Sequence, residues 1–281
     1  MSRSASRPRS SYAGRLAALH TILRDLGSVA VACSGGVDSV VLLHAAREVL
    51  GEHAVGFIAD SPSLPRRELA AARAVAEGMG ARLRVIATDE GDDPDYRANQ
   101  GDRCYFCKSA LFTVLEEEAR RAGLRALAFG EITDDAHDQR PGARAAGEFG
   151  VVAPLSQAGL SKDDVRRYAR EAGLPVAAKP SSACLASRIP VGTEVTPARL
   201  AAVEAAEAAL HDLGLRQVRV RHHGTTARIE VGEDEIEALR NRDAEIRSAI
   251  ESAGFQRHEL AVYRSPLARV PVAHPGPARS R

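Results

Sequence analysis

Between residues 28 and 131, four short apolar runs alternate with longer stretches of helical period, and this alternation restricts the chain to few architectures. The runs at 28–33, 54–60, 81–88 and 125–131 read as buried strands. Helical patterns at 15–27, 37–49, 66–79 and 103–122 precede and separate them. Strands this short and this apolar, joined through helices, predict an α/β fold: a parallel sheet covered by helices on both faces. In such sheets ligands bind beyond the carboxyl ends of the strands.

A further helix is predicted at 161–173 with Ser161 as its N-cap. Residues 179–193 have no helical or strand period and read as a long loop. The character then changes to a helix at 197–213, a hairpin of QVRVR and ARIEV, two helices, and a last strand ELAVY. The organisation expected is a main domain over 15–193 and a smaller α+β domain over 194–267 for substrate binding or oligomerisation. Residues 1–14 and 268–281 are expected to be disordered tails.

Bulk properties exclude several classes. No window approaches eighteen consecutive apolar residues, which excludes a helical membrane span. The Ser/Arg-rich start has no apolar stretch and is no secretory signal, so a cytoplasmic location is expected. A formal net charge of +1 offers no broad field for nucleic acid. Only three of the 38 basic residues are lysines, Lys108, Lys162 and Lys179; the skew reads as composition bias, and it makes each lysine conspicuous.

Ser34-Gly35-Gly36-Val37-Asp38-Ser39 falls between the first strand and its helix. Two glycines let the backbone approach a ligand, and successive N–H groups at a helix start attract an anion. Ser34 and Ser39 add hydroxyls. A Walker loop would require a lysine here, and there is none. The segment resembles the PP-loop of ATP pyrophosphatases, which holds the pyrophosphate released from ATP. That resemblance implies adenine near Phe57–Asp60, Gly130 close to the nucleotide, and Asp38 holding Mg2+ or orienting phosphates. Thr133, Asp134, Asp135 and Asp138 form an acidic loop that supports metal or substrate, or is a solvated turn.

Cys104 and Cys107 lie one helical turn apart, on one face, near a helix start that Asp102 is placed to cap. There the helix dipole is expected to lower thiol pKa values. The pair reads as a redox couple, half a zinc site, or, with Cys184 as third ligand, the holder of an iron–sulfur cluster with one open iron. Cys33, ending the first strand, reads as a small core residue.

SGGVDS, GDRCYFCKSALF, GEITDD, LSKDDVR, KPSSACLASRIPVGTE and QVRVRHHG…ARIEV together resemble the LarE family over residues 15–265, with SSACLASR the most specific segment. These are sulfur transferases of nickel-pincer nucleotide biosynthesis. The resemblance implies that ATP adenylates a carboxylate of pyridinium biscarboxylic acid mononucleotide, and that sulfur then displaces AMP to give a thiocarboxylate. One family type sacrifices the sulfur of a single cysteine, here Cys184. The other holds a 4Fe-4S cluster on three cysteines, which the presence of Cys104 and Cys107 matches; the sulfide source is unknown. A homo-oligomer, a hexamer built from trimers, is also implied.

Arg219 and Arg221 alternate along a strand and share a face, which suits bidentate phosphate binding. The resemblance gives them the substrate phosphate, with Ser187 and Arg188 contributing nearby. The alternative is pairing with Glu230 across the hairpin. Lys108 would neutralise phosphate or adenylate charge, or is a solvated helix lysine. The competing functions are a PP-loop tRNA thiolase, an ATP-dependent amidotransferase or ligase, and a nucleotide- or zinc-binding module.

Overall fold

The structure is a computed structural model and describes residues 11–135, 141–180 and 183–264. The expected tails fall mostly outside these residues, as does Asp138. Chain contacts divide the protein into two compact units, up to Leu200 and from Ala201 onward.

In the first unit β1 (Val29–Cys33), β2 (Ala54–Asp60), β3 (Arg82–Ala87) and β4 (Ala126–Phe129) form a parallel sheet in the order β3-β2-β1-β4. Alternate β1 residues serve opposite cores. Val29, Val31 and Cys33 pack with α1 (Tyr12–Leu26), α2 (Val37–Leu50) and α8 (Lys162–Glu171), the last helix of this series. Ala30 and Ala32 pack on the other face with Phe112, Leu115 and Ala119 of α5 (Arg103–Arg121) and with Ala145 and Ala146 of α6 (Pro141–Glu148). Both faces of β1 are therefore buried, as its apolar sequence requires. The remaining helices of the unit are α3 (Arg66–Gly78) and the short α4 (Pro94–Ala98) and α7 (Pro154–Gln157).

Sheet order, rather than strand identity, positions the site. From β1 the chain steps outward to β2 and β3, and then returns to pair β4 with the free side of β1. The loops after β1 and β4 thus diverge at the point where strand order reverses, where an open α/β sheet forms its ligand crevice.

The second unit contains β5 (Val218–His223), β6 (Thr226–Val231) and β7 (Arg257–Val262), with α10 (Ile236–Arg240) and α11 (Asp243–Ser252) between the last two. The helix α9 (Pro197–Asp212) contributes Val203, Ala206 and Leu210 to its core. β5 and β6 are antiparallel across a two-residue turn in which Gly224 has φ 62°. β6 and β7 are parallel, because the two helices carry the chain back to the same end. Among the described residues, no helix is long and apolar enough to cross a membrane.

Candidate active site

The segment Ser34–Gly36 joins β1 to α2. Gly35 takes φ 72°, and a Cβ there would stand 3.2 Å from that of Ala72. Ser39 in the first turn of α2 fixes the loop: its Oγ accepts from Ser34 N at 3.1 Å and donates to Gly36 O at 3.1 Å. Gly36 caps α2 without a side-chain bond of its own, and its N–H reaches Ser34 Oγ at 3.4 Å.

Gly130 follows β4, and a Cβ there would meet Ser39 N at 2.7 Å and Asp38 C at 2.9 Å. Glycine is required because the backbone after β4 lies against the backbone of the loop. A cavity of about 210 Å³ opens here, lined by Ser34, Asp38, Ser39, Lys108, Glu131 and Asp135 among others.

The three lysines of the chain converge on this loop. Lys162, the first residue of α8, places Nζ 2.9 and 2.6 Å from the two Asp38 carboxylate oxygens. Lys179 donates to Gly35 O at 2.9 Å and pairs with Glu68 at 2.6 Å. Lys108 runs along α6, where a Cβ on Gly142 would overlap its Cδ at 2.7 Å, and its ammonium stands 4.6 Å from the centre of the Phe129 ring. Burial lowers the Lys108 pKa; Glu131, Cys104, Cys107 and Asp135 oppose that shift. Sequence reasoning placed Lys108 here and missed Lys162 and Lys179.

The cysteine loop is built from its own polar groups. Ser187 Oγ donates to Cys184 O at 2.7 Å, and Arg188 Nη1 donates to Ala183 O at 2.8 Å and Cys184 O at 3.3 Å. Arg188 is 4% exposed. Leu185 N bonds Ser63 O at 2.8 Å, and the Ser63 hydroxyl bonds the buried Tyr96 hydroxyl. Tyr96 lies in the field of both Cys107 and Cys184, and burial raises its own pKa.

Cys104 is exposed, whereas Cys107 and Cys184 are half-buried. The expected lowering of thiol pKa by the helix start is not met at Cys107. Burial pushes this thiol upward, and the charges of Cys184, Glu90 and Cys104 push it further. Asp102 occupies the N-cap position without a side-chain bond. Glu90 is buried, and its Oε2 has no hydrogen-bond partner. No three His, Cys, Asp or Glu side chains among the described residues are arranged to hold a single metal ion.

The other anticipated residues divide between the cavity and the rest of the molecule. Phe57 is fully buried in the core beside Phe112, and Asp60 pairs with Arg66. Asp134 accepts from Lys162 N at 2.6 Å and so caps α8, while Asp135 lines the cavity. Cys33 is a core residue, as expected, with burial raising its pKa to about 12. In the second unit, Arg221 pairs with Glu230 at 3.1 Å and Arg219 stacks 4.0 Å from the Tyr263 ring centre.

No known family model matches the chain. It is 36% identical over 245 residues to the pyridinium-3,5-bisthiocarboxylic acid mononucleotide synthase of Lactiplantibacillus plantarum, covering 87% of this chain and 89% of that protein. It is 41% identical to an uncharacterised protein of Synechocystis, over 79% of this chain and 83% of the relative. It is 29% identical to the argininosuccinate synthase of Haloarcula marismortui over 53% of this chain and 38% of that enzyme. The parallel sheet with its phosphate loop is the PP-loop α/β fold.

Proposed function

Because the chain belongs to the family of the pyridinium-3,5-bisthiocarboxylic acid mononucleotide synthase, we propose that it uses ATP to adenylate a carboxylate of a pyridinium mononucleotide and replaces an oxygen of that carboxylate with sulfur. The observation that carries this reading is the position of Lys108. It lines the cavity with Ser34, Asp38 and Ser39, and on α5 it directly follows Cys107 and lies one turn beyond Cys104. Phosphate loop and thiols therefore form one neighbourhood.

Catalysis is mainly placement and charge. The amides at the start of α2 and the Ser34 and Ser39 hydroxyls take the phosphates and stabilise charge building on pyrophosphate. Lys162 orients Asp38 through both carboxylate oxygens. Mg2+ fits the carboxylates present, because it needs only one or two of them beside substrate phosphates. Asp38 and Asp135 would hold it, and it would neutralise phosphate charge. Lys108 offsets negative charge on the acyl adenylate.

For the sulfur source the reading taken is a 4Fe-4S cluster, which Cys104, Cys107 and Cys184 would hold; it is supported by Cys104 and Cys107 lying one turn apart on α5 and by Cys184 standing close enough to Cys107 to act on it electrostatically. When bound, the cluster would supply the sulfur from its open iron.

The test is anaerobic protein with ATP, the biscarboxylate mononucleotide and sulfide. The expected products are AMP, pyrophosphate and thiocarboxylate over many turnovers. Pyrophosphate release without thiocarboxylate would refute sulfur transfer. One product per chain, with sulfur lost from Cys184, would instead make that cysteine the donor.

A further inference from the structure

Asn99 is the one non-glycine residue with positive φ among the described residues, at φ 54° and ψ 49°, and it is 1% exposed. It ends α4, four residues before the helix that carries Cys104 and Cys107. Asparagine tolerates the left-handed conformation better than most residues, but burial removes the solvent that would satisfy its amide.

Its partners explain why the site requires asparagine. Nδ2 donates to Pro190 O at 2.8 Å and Thr193 O at 3.0 Å, with Ile189 O at the margin, 3.5 Å away. Oδ1 accepts from Arg103 Nη1 at 2.7 Å, and Arg103 is the first residue of α5, next to Cys104. The backbone carbonyl of Asn99 accepts from Gly192 N at 2.9 Å, and Arg97 O accepts from Val195 N at 2.8 Å. One amide thus grips the chain after Cys184 with its nitrogen and the start of the cysteine helix with its oxygen. At the near end of the same loop, Leu185 is held to Ser63.

We propose that Asn99 is a positioning residue for sulfur delivery: its amide latches the Cys184 loop to the start of the Cys104–Cys107 helix and so sets the separation of the loop thiol from the helix thiols. The consequence for activity rests on the sulfur-transfer reading above; the latch itself does not. No step of adenylation passes through Asn99.

The test uses the full chain with Asn99→Gly and Asn99→Asp. Glycine accepts the backbone conformation and keeps the carbonyl bond, but removes the amide. Aspartate keeps the shape and turns an oxygen towards the carbonyls of Pro190 and Thr193. In both, a short bifunctional thiol reagent is expected to join Cys184 to Cys104 or Cys107 far less than in the parent, as read by peptide mapping. Pyrophosphate release stays near the parent rate, and thiolation falls by about 10- to 100-fold, the loss that a misplacement near 1 Å produces. Parent-like cross-linking in the glycine variant overturns the latch. So does an equal loss of pyrophosphate release and thiolation, which marks a general structural role.

If neither variant folds, Arg103→Ala decides, because it removes the partner of Asn99 Oδ1 and leaves Asn99 itself in place: weakened cross-linking of Cys184 to Cys104 or Cys107 supports the latch, and parent-like cross-linking overturns it. A parent protein that never thiolates refutes the functional reading, while cross-linking still judges the latch.

Discussion

Gly130→Ala tests whether the phosphate loop is held by backbone contact across the sheet. The added Cβ would stand 2.7 Å from Ser39 N, and 2.9 Å from both Asp38 C and Ser39 Cα. Ordinary carbon contacts lie at about 3.5–4.0 Å, so the two backbones must separate by roughly 0.5–1 Å. None of the three atoms belongs to a flexible side chain, so the strain has no cheap outlet. Overpacking of this kind costs about 1–3 kcal/mol. If the cost falls on the loop, it weakens nucleotide binding by about 5- to 150-fold, at 1.4 kcal/mol per tenfold. If it falls on the fold, urea unfolding shows it directly. Gly147→Ala is the control: it lies in α6 with nothing within 4 Å of its Cβ position. That change should stabilise the protein by about 0.4–1 kcal/mol. Titration calorimetry with ATP and denaturant unfolding on both variants measure the two outlets. Equal stability and equal ATP affinity in the two would refute the argument.

Lys162→Ala should lower pyrophosphate release by about tenfold, because Asp38 loses the ammonium that orients it, while unfolding changes by only about 1 kcal/mol; unchanged release would remove Lys162 from the site. Glu90→Leu should raise unfolding stability by about 1 kcal/mol, since it removes a buried polar group whose Oε2 has no hydrogen-bond partner among the described residues; a lower midpoint would reveal a partner for that oxygen. At Asp164, burial pushes the carboxyl upward, but bonds from Arg15 and Ser161 outweigh it and hold the pKa below the ordinary value. A depressed folded pKa means that the unfolded chain binds the proton first. Its stabilisation is complete above about pH 4 and is lost as pH falls through the folded value. Asp164→Asn should therefore cost about 1.5–3 kcal/mol at pH 7 and nothing in strong acid. Stability curves that stay parallel down to acid would rule out this linkage.

The strands and the phosphate loop were legible because their signals are local: a short apolar run, two glycines, then a helical period. The sheet order was not, since nothing within β4 says that it pairs with β1, and without that pairing Gly130 has no stated reason to be glycine. The pKa of Cys107 misled for the same cause. Proximity to a helix start can be read from four residues, whereas burial and the charges of Cys184 and Glu90 arrive from other parts of the chain. The end of β2 was placed correctly, yet Phe57 faces the α5 core, because strand alternation assigns it to that face of the sheet. α6 went unseen because it is only eight residues long and carries two glycines, which lower helix propensity. Nothing local to Asn99 points to its role, because its carbonyl partners at 189, 190 and 193 lie about ninety residues away in sequence.

The lysines carry the argument furthest. In a chain where nearly every cation is arginine, a cation that only needs to be positive is free to be arginine. Lysine persists where guanidinium cannot serve. At Gly35 the ammonium must meet a single carbonyl and the Glu68 carboxylate at once, which a compact head with rotatable donors does and a planar fork does poorly. At Lys108 the stem passes where even a methyl group on Gly142 would overlap it, leaving little width for a guanidinium beyond. At Lys162 one nitrogen reaches both oxygens of Asp38 from the first residue of a helix. Lys179 and Lys162 bond the loop itself, at Gly35 and Asp38, and Lys108 lines the cavity beside it. The rarity of lysine, noticed first as composition bias, thus falls on three residues gathered around this loop and its cavity.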